Sequence, residues 1–342
     1  MINKIMTDPK PSMSDLARKL NVSKTTISFI LNGKAKEKRI SESLVEKVLA
    51  EAASLGYRPN QFAQSLRTGR TNIIGLMVED ISNPFYASIA KLIEEKVYQN
   101  GYKIVYCSTE NDVARGKDFL TMFSTLSVDG CIIAPTQGME QEIRDMLDKG
   151  KGVVLFDRYF GNDGTDAVMV DNQGGMYLAV EHLVARGAKN IGLVALALGD
   201  PEKEDRIIGF KKAIADHGLA THVFPLPFKG GHEDYLQDIS EILSQNKLDA
   251  VVFGTNYLGI AGLEVINQSG LSIPDDIAMI SFDDHDLFRI HRPGITVVAQ
   301  PIEGIAQVAI DTLMSKLRNP ALLKKAAEVI TLPTSLIIRA ST

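Results

Sequence analysis

Residues 12–33 read SMSDLARKLNVSKTTISFILNG and predict two short helices joined by a tight turn. Ser12 is placed as an N-cap, because the acid Asp15 follows three residues later and such a pair satisfies free backbone N–H groups. Asn21 tolerates the left-handed conformation that a tight turn needs, and Ser23 is placed to cap the second helix. Two short helices joined in this way form a helix-turn-helix.

The second of these helices has an outward face suited to DNA. Ile27, Ile30 and Leu31 can pack inward, which leaves the polar side chains and Phe29 outside. A recognition helix contacts base edges in the major groove through residues near its N-terminal end. The DNA-contacting residues expected here are Ser23, Lys24, Thr25, Thr26, Ser28, Phe29 and Asn32.

A third helix should begin near Ser41 and end at Gly56, closing a small three-helix core that is marginal by itself. Its expected inner face comprises Leu44, Val45, Val48, Leu49 and Ala52. We therefore assign residues 12–58 to a helix-turn-helix domain.

Residues 59–70 predict a hinge helix and linker. Gln61 to Leu66 has helical spacing, but so short a helix is unstable in water and can be ordered only against DNA or a second copy. Leu66 is either a packed linker leucine or an apolar wedge between base steps. The DNA-binding candidates in and beside this segment are Tyr57, Arg58, Asn60, Gln64 and Leu66.

Charge separates the first 70 residues from the rest of the chain. They hold 13 Lys plus Arg and six Asp plus Glu, a net charge of +7, whereas the remainder has a net charge of −12. A basic head on an acidic body suggests that only the head meets a polyanion, although a solvated basic face is the alternative.

Several classes of protein are disfavoured by the sequence. The longest uncharged apolar run, Ile191 to Gly199, is far shorter than the roughly 18 residues of a membrane span. No secretory signal, disulfide framework or nucleotide-binding glycine motif occurs, so we expect a cytoplasmic protein without cofactor or metal and without enzymatic activity. The cluster Asp283-Asp284-His285-Asp286 is interpreted as one hydrogen-bonding aspartate with solvated neighbours.

The body, residues 71–342, alternates short apolar runs with helical stretches, as βαβ units of a parallel sheet do. The runs that predict strands are Ile73–Val78, Lys103–Cys107, Gly130–Ala134, Val153–Phe156, Ala167–Val170, Ile191–Ala195, His222–Leu226, Ala250–Gly254, Ala278–Phe282 and Ile295–Ala299. They predict an α/β body of two doubly wound parallel-sheet subdomains with about five strands each. We assign about 71–171 and 300–330 to the first subdomain, and about 172–299 and 331–342 to the second.

Ligands of such sheets bind beyond the carboxyl ends of the strands, so the cleft between the two subdomains is the expected binding site. Polar and aromatic side chains collect at those ends, and this lining suits a sugar or a nucleobase. Any single one of them is more often a loop or capping residue than a ligand contact; it is the shared placement that favours a site. The ligand-binding candidates are Asn83, Phe85, Tyr86, Asp157, Arg158, Arg206, Phe228, Thr255, Asn256, Asp283 and Gln300.

Over essentially its whole length, the chain resembles the lactose-repressor/galactose-repressor family of bacterial transcription regulators. The ordered set of motifs is specific, although each alone is weak. In the head they are Asp15-Leu16-Ala17, Val22-Ser23-Lys24-Thr25-Thr26-Ile27-Ser28, Leu31-Asn32-Gly33 and Gly56-Tyr57-Arg58-Pro59-Asn60. In the body they include Asn83-Pro84-Phe85, Val128-Asp129-Gly130, Phe156-Asp157-Arg158, Arg206-Ile207-Ile208-Gly209-Phe210, Ser281-Phe282-Asp283 and Leu332-Pro333-Thr334.

The resemblance implies a homodimer, or a larger assembly, whose heads bind a palindromic operator, with Leu66 as a lever in the minor groove. It implies a body like periplasmic sugar-binding proteins, closing around a small effector. The function expected is that of a repressor of a catabolic or sugar-utilisation operon. A regulator with a purine corepressor and a solute-binding protein without DNA function are the alternatives.

Three departures from the family pattern bear on recognition. Phe29 stands where arginine is frequent, and phenylalanine can contact a thymine methyl group but not donate to guanine. Residues 34–39 are about two residues longer than usual, either adding phosphate contacts or forming a solvated loop. Thr255-Asn256 replaces a common Asn-Asp pair, which predicts different effector chemistry there.

Overall fold

The computed structural model describes residues 11–57, 69–161 and 164–342. These residues form two compact units, a head up to Thr71 and a body from Asn72 onward. Most of the predicted hinge segment lies outside the described residues. Arg58, Asn60, Gln64 and Leu66 belong to that undescribed part, so their roles stay predictions.

The head contains the three predicted helices, α1 (Met13–Leu20), α2 (Lys24–Leu31) and α3 (Glu42–Ser54). Ser12 and Asp15 form the predicted reciprocal cap of α1, and Asn21 ends this helix with a φ of 51°. Ser23 caps α2, since its Oγ accepts from the Thr26 amide at 3.0 Å. The local signals at these helix ends are therefore confirmed.

The head core differs from the prediction at one position. Leu16, Ile27 and Val48 are completely buried, but Leu49 is 48% exposed and does not belong to the inner face of α3. Val48 and Ala52, four residues apart, share the inward face, and Leu49 lies about 100° around the helix axis from Val48. The small head cannot cover so wide an arc of α3.

The first subdomain of the body is a six-stranded, entirely parallel sheet in the order β11-β5-β4-β3-β1-β2. Its strands are β1 (Ile73–Val78), β2 (Lys103–Ser108), β3 (Gly130–Ile133), β4 (Gly152–Phe156), β5 (Asp166–Val170) and β11 (Val329–Leu332). Helices Pro84–Gln99 and Ile302–Arg318 cover one face, and helices Val113–Thr125 and Glu140–Asp148 cover the other.

The second subdomain repeats this plan in the order β12-β10-β9-β8-β6-β7. Its strands are β6 (Ile191–Leu196), β7 (His222–Leu226), β8 (Ala250–Phe253), β9 (Ala278–Phe282), β10 (Thr296–Ala299) and β12 (Ser335–Ile337). All pairs are parallel except β12 with β10. Its helices are Asn172–Ala185, Asp205–Asp216, Leu236–Gln245, Asn256–Gln268 and the short Asp286–Ile290, with 3-10 turns Pro201–Lys203 and His232–Tyr235. A further 3-10 turn, Pro320–Lys324, precedes β11.

Each sheet has six strands, one more than the five or so that the sequence predicted for each subdomain. The additional strands are β11 and β12, which come from the last part of the chain and join different sheets. Thr331 and Leu332, assigned from the sequence to the second subdomain, lie in β11 of the first sheet. The chain therefore passes between subdomains three times, after β5, after β10 and between β11 and β12. None of the helices within the described ranges is long and apolar enough to cross a membrane.

Candidate effector site and nucleic-acid interface

A cavity of about 900 Å³ lies between the two subdomains of the body, at the carboxyl ends of strands from both sheets. This volume suits a small molecule. Nine of the eleven residues predicted from the sequence line it: Asn83, Phe85, Tyr86, Asp157, Arg158, Arg206, Thr255, Asp283 and Gln300.

Two aspartates occupy equivalent positions in the two subdomains, each directly after the carboxyl end of a strand. Asp157 follows β4 and Asp283 follows β9, and their φ angles are 67° and 68°. Each amide donates to a carbonyl oxygen of the next strand, Val168 at 3.2 Å and Val298 at 2.9 Å. Left-handed backbone is uncommon for residues other than glycine and is concentrated at functional sites. The same backbone geometry thus brings one carboxylate from each subdomain to the cavity.

Arg158 is held by groups of the first subdomain. Its Nη1 donates to Asn111 Oδ1 at 2.6 Å, its Nη2 donates to the buried carboxylate of Glu79, and its Nε lies 3.7 Å from Asp157 Oδ2. The Tyr86 hydroxyl donates to the same Asp157 oxygen at 2.7 Å. Burial opposes the charge of the guanidinium, but Tyr86 and the two carboxylates outweigh it and raise the pKa of Arg158. This cation is therefore largely neutralised within the protein.

Arg206 is fixed by contacts within the second subdomain. Its Nε donates to Asn172 Oδ1 at 2.8 Å, and its Nη1 donates to the Gly254 carbonyl at 2.6 Å. The guanidinium carbon lies 3.8 Å from the centre of the Phe282 ring, a cation–π distance. The cation is thereby held rigidly at the cavity wall.

Asp283 is a buried carboxylate of the second subdomain at the cavity, only 6% exposed. Burial raises the pKa of its carboxyl, while Arg206 and a hydrogen bond from Gln300 act in the opposite direction. Gln300 Nε2 donates to Asp283 Oδ1 at 2.6 Å. Within the described part of the chain, Gln300 Oε1 and Asn111 Nδ2 are buried without a hydrogen-bond partner. An acceptor and a donor at the cavity are thus unsatisfied by the protein.

The rings of Phe85 and Tyr86 offer little surface on which a ligand could stack. These rings are only 6% and 4% exposed, and they pack edge to face at 5.0 Å. Tyr86 also meets Phe156, so little of either ring is free to stack on a ligand. The more accessible ring is Tyr159, which is 41% exposed and lines the cavity.

Phe228 and Asn256 do not line the main cavity, and their role in binding the effector stays a prediction. They line a neighbouring pocket of about 220 Å³. Asn256 Nδ2 donates to Asn83 Oδ1 at 2.7 Å, joining the start of a second-subdomain helix to a first-subdomain residue. Asn83 Oδ1 also accepts from the Phe85 amide, so Asn83 caps its own helix and contacts the opposite subdomain.

Sequence reasoning missed Glu79, Asn111, Tyr159 and Asn172, all of which line the cavity. Glu79 directly follows β1, so the rule that selected Asp157 after β4 would also have selected it. Nothing in the sequence pairs Glu79 with Arg158, because the two positions are 79 residues apart.

The predicted DNA-contacting residues of the head differ in their exposure to solvent. Ser23, Lys24 and Thr25 are exposed at the start of α2, whereas Thr26, Ser28 and Phe29 are half-buried. Asn32 Nδ2 donates to the Ser28 carbonyl at 2.6 Å. Tyr57 packs against the head core, and burial raises the pKa of its hydroxyl.

Comparison with known proteins identifies both units. The model of the lacI family of bacterial regulatory proteins matches residues 12–60, and that of the periplasmic binding protein-like domain matches residues 180–342. The transcriptional repressor PurR of Glaesserella parasuis is 30% identical over 316 residues, 90% of each chain.

Solved structures agree with these matches. A LacI family transcriptional regulator from Enterococcus faecium with bound ribose is 28% identical, with a TM-score of 0.70 over 79% of this chain and 98% of that one. The lac repressor dimer bound to operator and an anti-inducer superposes with a TM-score of 0.82 over 98% and 99% of the two chains; at 22% identity this likeness shows the fold alone. The expected fold and family resemblance are confirmed, and the family is one of regulators rather than enzymes. This chain belongs to the lacI family of bacterial regulatory proteins.

Proposed function

We propose that this protein is a transcriptional repressor whose head binds a palindromic operator as a homodimer and whose cleft binds a small uncharged sugar. Family membership supports operator binding, and the ribose seen in the Enterococcus faecium relative supports a sugar. A regulator that binds bacterial operator DNA acts where that DNA lies, so we place the protein in the cytoplasm. The regulated genes would serve the use of the bound sugar.

The charge of the cavity is the observation that carries the choice of ligand. Six carboxylates and three cations line it, and Arg158 is already paired with Glu79 and Asp157. The carboxylates are Glu79, Glu140, Asp157, Glu204, Asp205 and Asp283, and the cations are Arg158, Lys203 and Arg206. An anionic ligand would have to leave water beside this acidic excess, which is unfavourable. The lining therefore favours a neutral polyhydroxyl compound over a sugar phosphate or sugar acid.

Hydroxyl groups match the hydrogen-bonding groups that the cavity offers. Asp157 and Asp283 accept hydrogen bonds, Arg206 donates them, and the unpartnered atoms of Asn111 and Gln300 supply one donor and one acceptor. A hydroxyl both donates and accepts, so one ring with several hydroxyls can satisfy all of these groups. Phe85 and Tyr86 do not present the free ring face on which a purine would stack, and Tyr159 is left as the exposed ring for that role.

A ligand bound between Asp157 and Asp283 contacts both subdomains. Ligand binding therefore favours the arrangement of the subdomains in which both carboxylates reach the ligand. The ligand can shift the equilibrium between arrangements only by as much as its affinities for them differ. The chain crosses between the subdomains three times, so a change in their arrangement acts on all three connections.

The ligand assignment is tested by isothermal titration calorimetry on the full-length protein. The panel comprises ribose and other neutral pentoses and hexoses, their phosphates, guanine and hypoxanthine. We expect a neutral sugar to bind and its phosphate to bind at least about tenfold more weakly. Tight purine binding with no sugar binding would contradict the assignment, and preference for a phosphate would contradict the charge argument.

Operator binding is tested by selecting duplexes from a random DNA pool with the full-length protein. A palindromic sequence should be enriched, and its affinity should fall steeply with salt because bound phosphates release counterions. Removal of residues 1–70 should abolish enrichment while leaving sugar binding intact. Failure of the full-length protein to enrich any sequence would refute the role of the head.

A further inference from the structure

The turn that follows the recognition helix, residues 34–39, is an ordered part of the head. The Lys34 amide donates to the Phe29 carbonyl at 2.9 Å, and the Ile40 amide donates to the Ala35 carbonyl at 2.9 Å. The side chains of Ala35 and Ile40 pack against the head core. This turn is consequently anchored at both ends and directs its remaining side chains to solvent.

The outward side chains of the turn are mostly cationic. Lys34, Lys36, Lys38 and Arg39 are exposed, and Glu37 is the one acidic residue among them. Over the described ranges of the chain, none of these four cations takes part in an ion pair within 4.0 Å. The turn thus offers positive charge that the protein itself does not neutralise.

Lys38 is set apart from the other three cations by its contact with the recognition helix. Its Nζ lies 5.3 Å from the centre of the Phe29 ring, within the range of a cation–π interaction. Phe29 lies in the last part of α2, whose one cationic residue, Lys24, is at the first position of the helix. The ring therefore holds a cation from the turn beside a part of α2 that has none.

We propose that Lys38 contacts a backbone phosphate of the operator next to the recognition helix, and that Phe29 is the residue that positions it. The inference rests on the proposed binding of DNA by the head. A lysine ammonium is a point charge suited to a phosphate oxygen, and phosphates receive most protein–DNA hydrogen bonds. The unpaired charges of Lys34, Lys36 and Arg39 extend the same positive surface along the duplex.

The test uses the full-length protein and the duplex that it selects from a random pool, with a shuffled duplex for comparison. Affinities of wild type, Lys38→Gln and Phe29→Leu are measured across a salt series. Lys38→Gln should weaken binding about threefold to tenfold on both duplexes and reduce the magnitude of the salt slope by about 0.9. Phe29→Leu keeps every charge, yet it should also reduce the magnitude of the salt slope, because Lys38 loses the ring that positions its ammonium group.

Coupling between the two residues separates positioning from packing. If Phe29 acts through Lys38, the loss of DNA affinity in the double variant Phe29→Leu/Lys38→Gln should be smaller than the product of the losses in the two single variants. Lys36→Gln, an equal charge change in the same turn, is the control and should combine with Phe29→Leu multiplicatively. Unfolding temperatures equal to that of wild type establish that the variants fold.

The outcomes distinguish this inference from the function on which it rests. If wild type selects no duplex, the role of the head in DNA binding fails. If wild type selects one but Lys38→Gln leaves the salt slope unchanged, the phosphate contact is refuted. An unchanged slope with altered preference at one base pair would assign Lys38 to a base edge instead. Multiplicative effects of Phe29→Leu and Lys38→Gln would refute the positioning role.

Discussion

The neighbouring aspartates Asp283 and Asp284 should respond in opposite ways to the same change to asparagine. Asp283 lies at the cavity, where burial raises the pKa of its carboxyl. A raised pKa means that the protonated carboxyl favours folding and that this contribution is lost as the pH rises through the folded-state pKa. Above the folded-state pKa the ionised group therefore costs folding free energy. Asp284 lies outside the cavity and accepts from Arg339 at 2.9 and 2.7 Å.

The magnitudes follow from these environments. Asp283→Asn keeps the acceptor for Gln300 and tolerates the left-handed backbone, so the free energy of unfolding should stay the same or rise by about 1 kcal/mol. Sugar affinity should fall at least about tenfold, because a charge-assisted hydrogen bond contributes about 1.5–3 kcal/mol. Asp284→Asn breaks one branch of a bidentate pair with Arg339. It should lower stability by about 1–3 kcal/mol and leave sugar affinity unchanged.

Two measurements on each variant decide the matter. Urea unfolding without sugar, followed by circular dichroism, gives stability, and calorimetry with the sugar found in the panel gives affinity. Wild-type affinity in Asp283→Asn would remove Asp283 from the binding site. A greater loss of stability in Asp283→Asn than in Asp284→Asn would refute the argument from burial.

Three further predictions concern titration, packing and thiol reactivity. Sugar affinity should fall as the pH is lowered below neutral, because the raised pKa of Asp283 means that this carboxyl takes up its proton at a higher pH than an ordinary carboxyl does, and calorimetry across pH should show a flatter profile in Asp283→Asn. Gly262→Ala should lower stability by about 1–3 kcal/mol despite the better helix propensity of alanine, because a Cβ there would lie 2.0 Å from Phe253 Cζ; an unchanged urea midpoint would contradict this. Burial raises the pKa of Cys107 to about 11 and that of Cys131 to about 12, so both thiols should resist a thiol reagent at pH 8 until the chain unfolds, and rapid labelling of the native protein would contradict this.

Features that depend on a few adjacent residues could be predicted from the sequence. The caps at Ser12 and Ser23 are contacts over three residues, and they appear in the structure as expected. The strands Ile73–Val78 and Ala278–Phe282 coincide with the apolar runs that predicted them. A buried parallel strand must be apolar along its whole length, and this requirement is visible without knowledge of its neighbours.

Features that depend on residues far apart in the chain could not be predicted from the sequence. The last part of the chain forms helix Ile302–Arg318 and two strands that join different sheets, with Val329 opposite Ala167 and Ile337 opposite Val297. Each of these pairings joins segments at least 40 residues apart, and both segments are short and only partly apolar. Neither segment was predicted as a strand, so the sixth strand of each subdomain was missed.

The sequence by itself determined the family, the helix-turn-helix and the kinds of side chain that end the body strands. Only the tertiary structure decided which of those side chains meet. Glu79 neutralises Arg158, Asn256 donates to Asn83 instead of lining the main cavity, and Lys38 lies over the ring of Phe29. Helix caps and apolar periodicity act along the chain, whereas these contacts depend on how whole helices, strands and turns pack against one another.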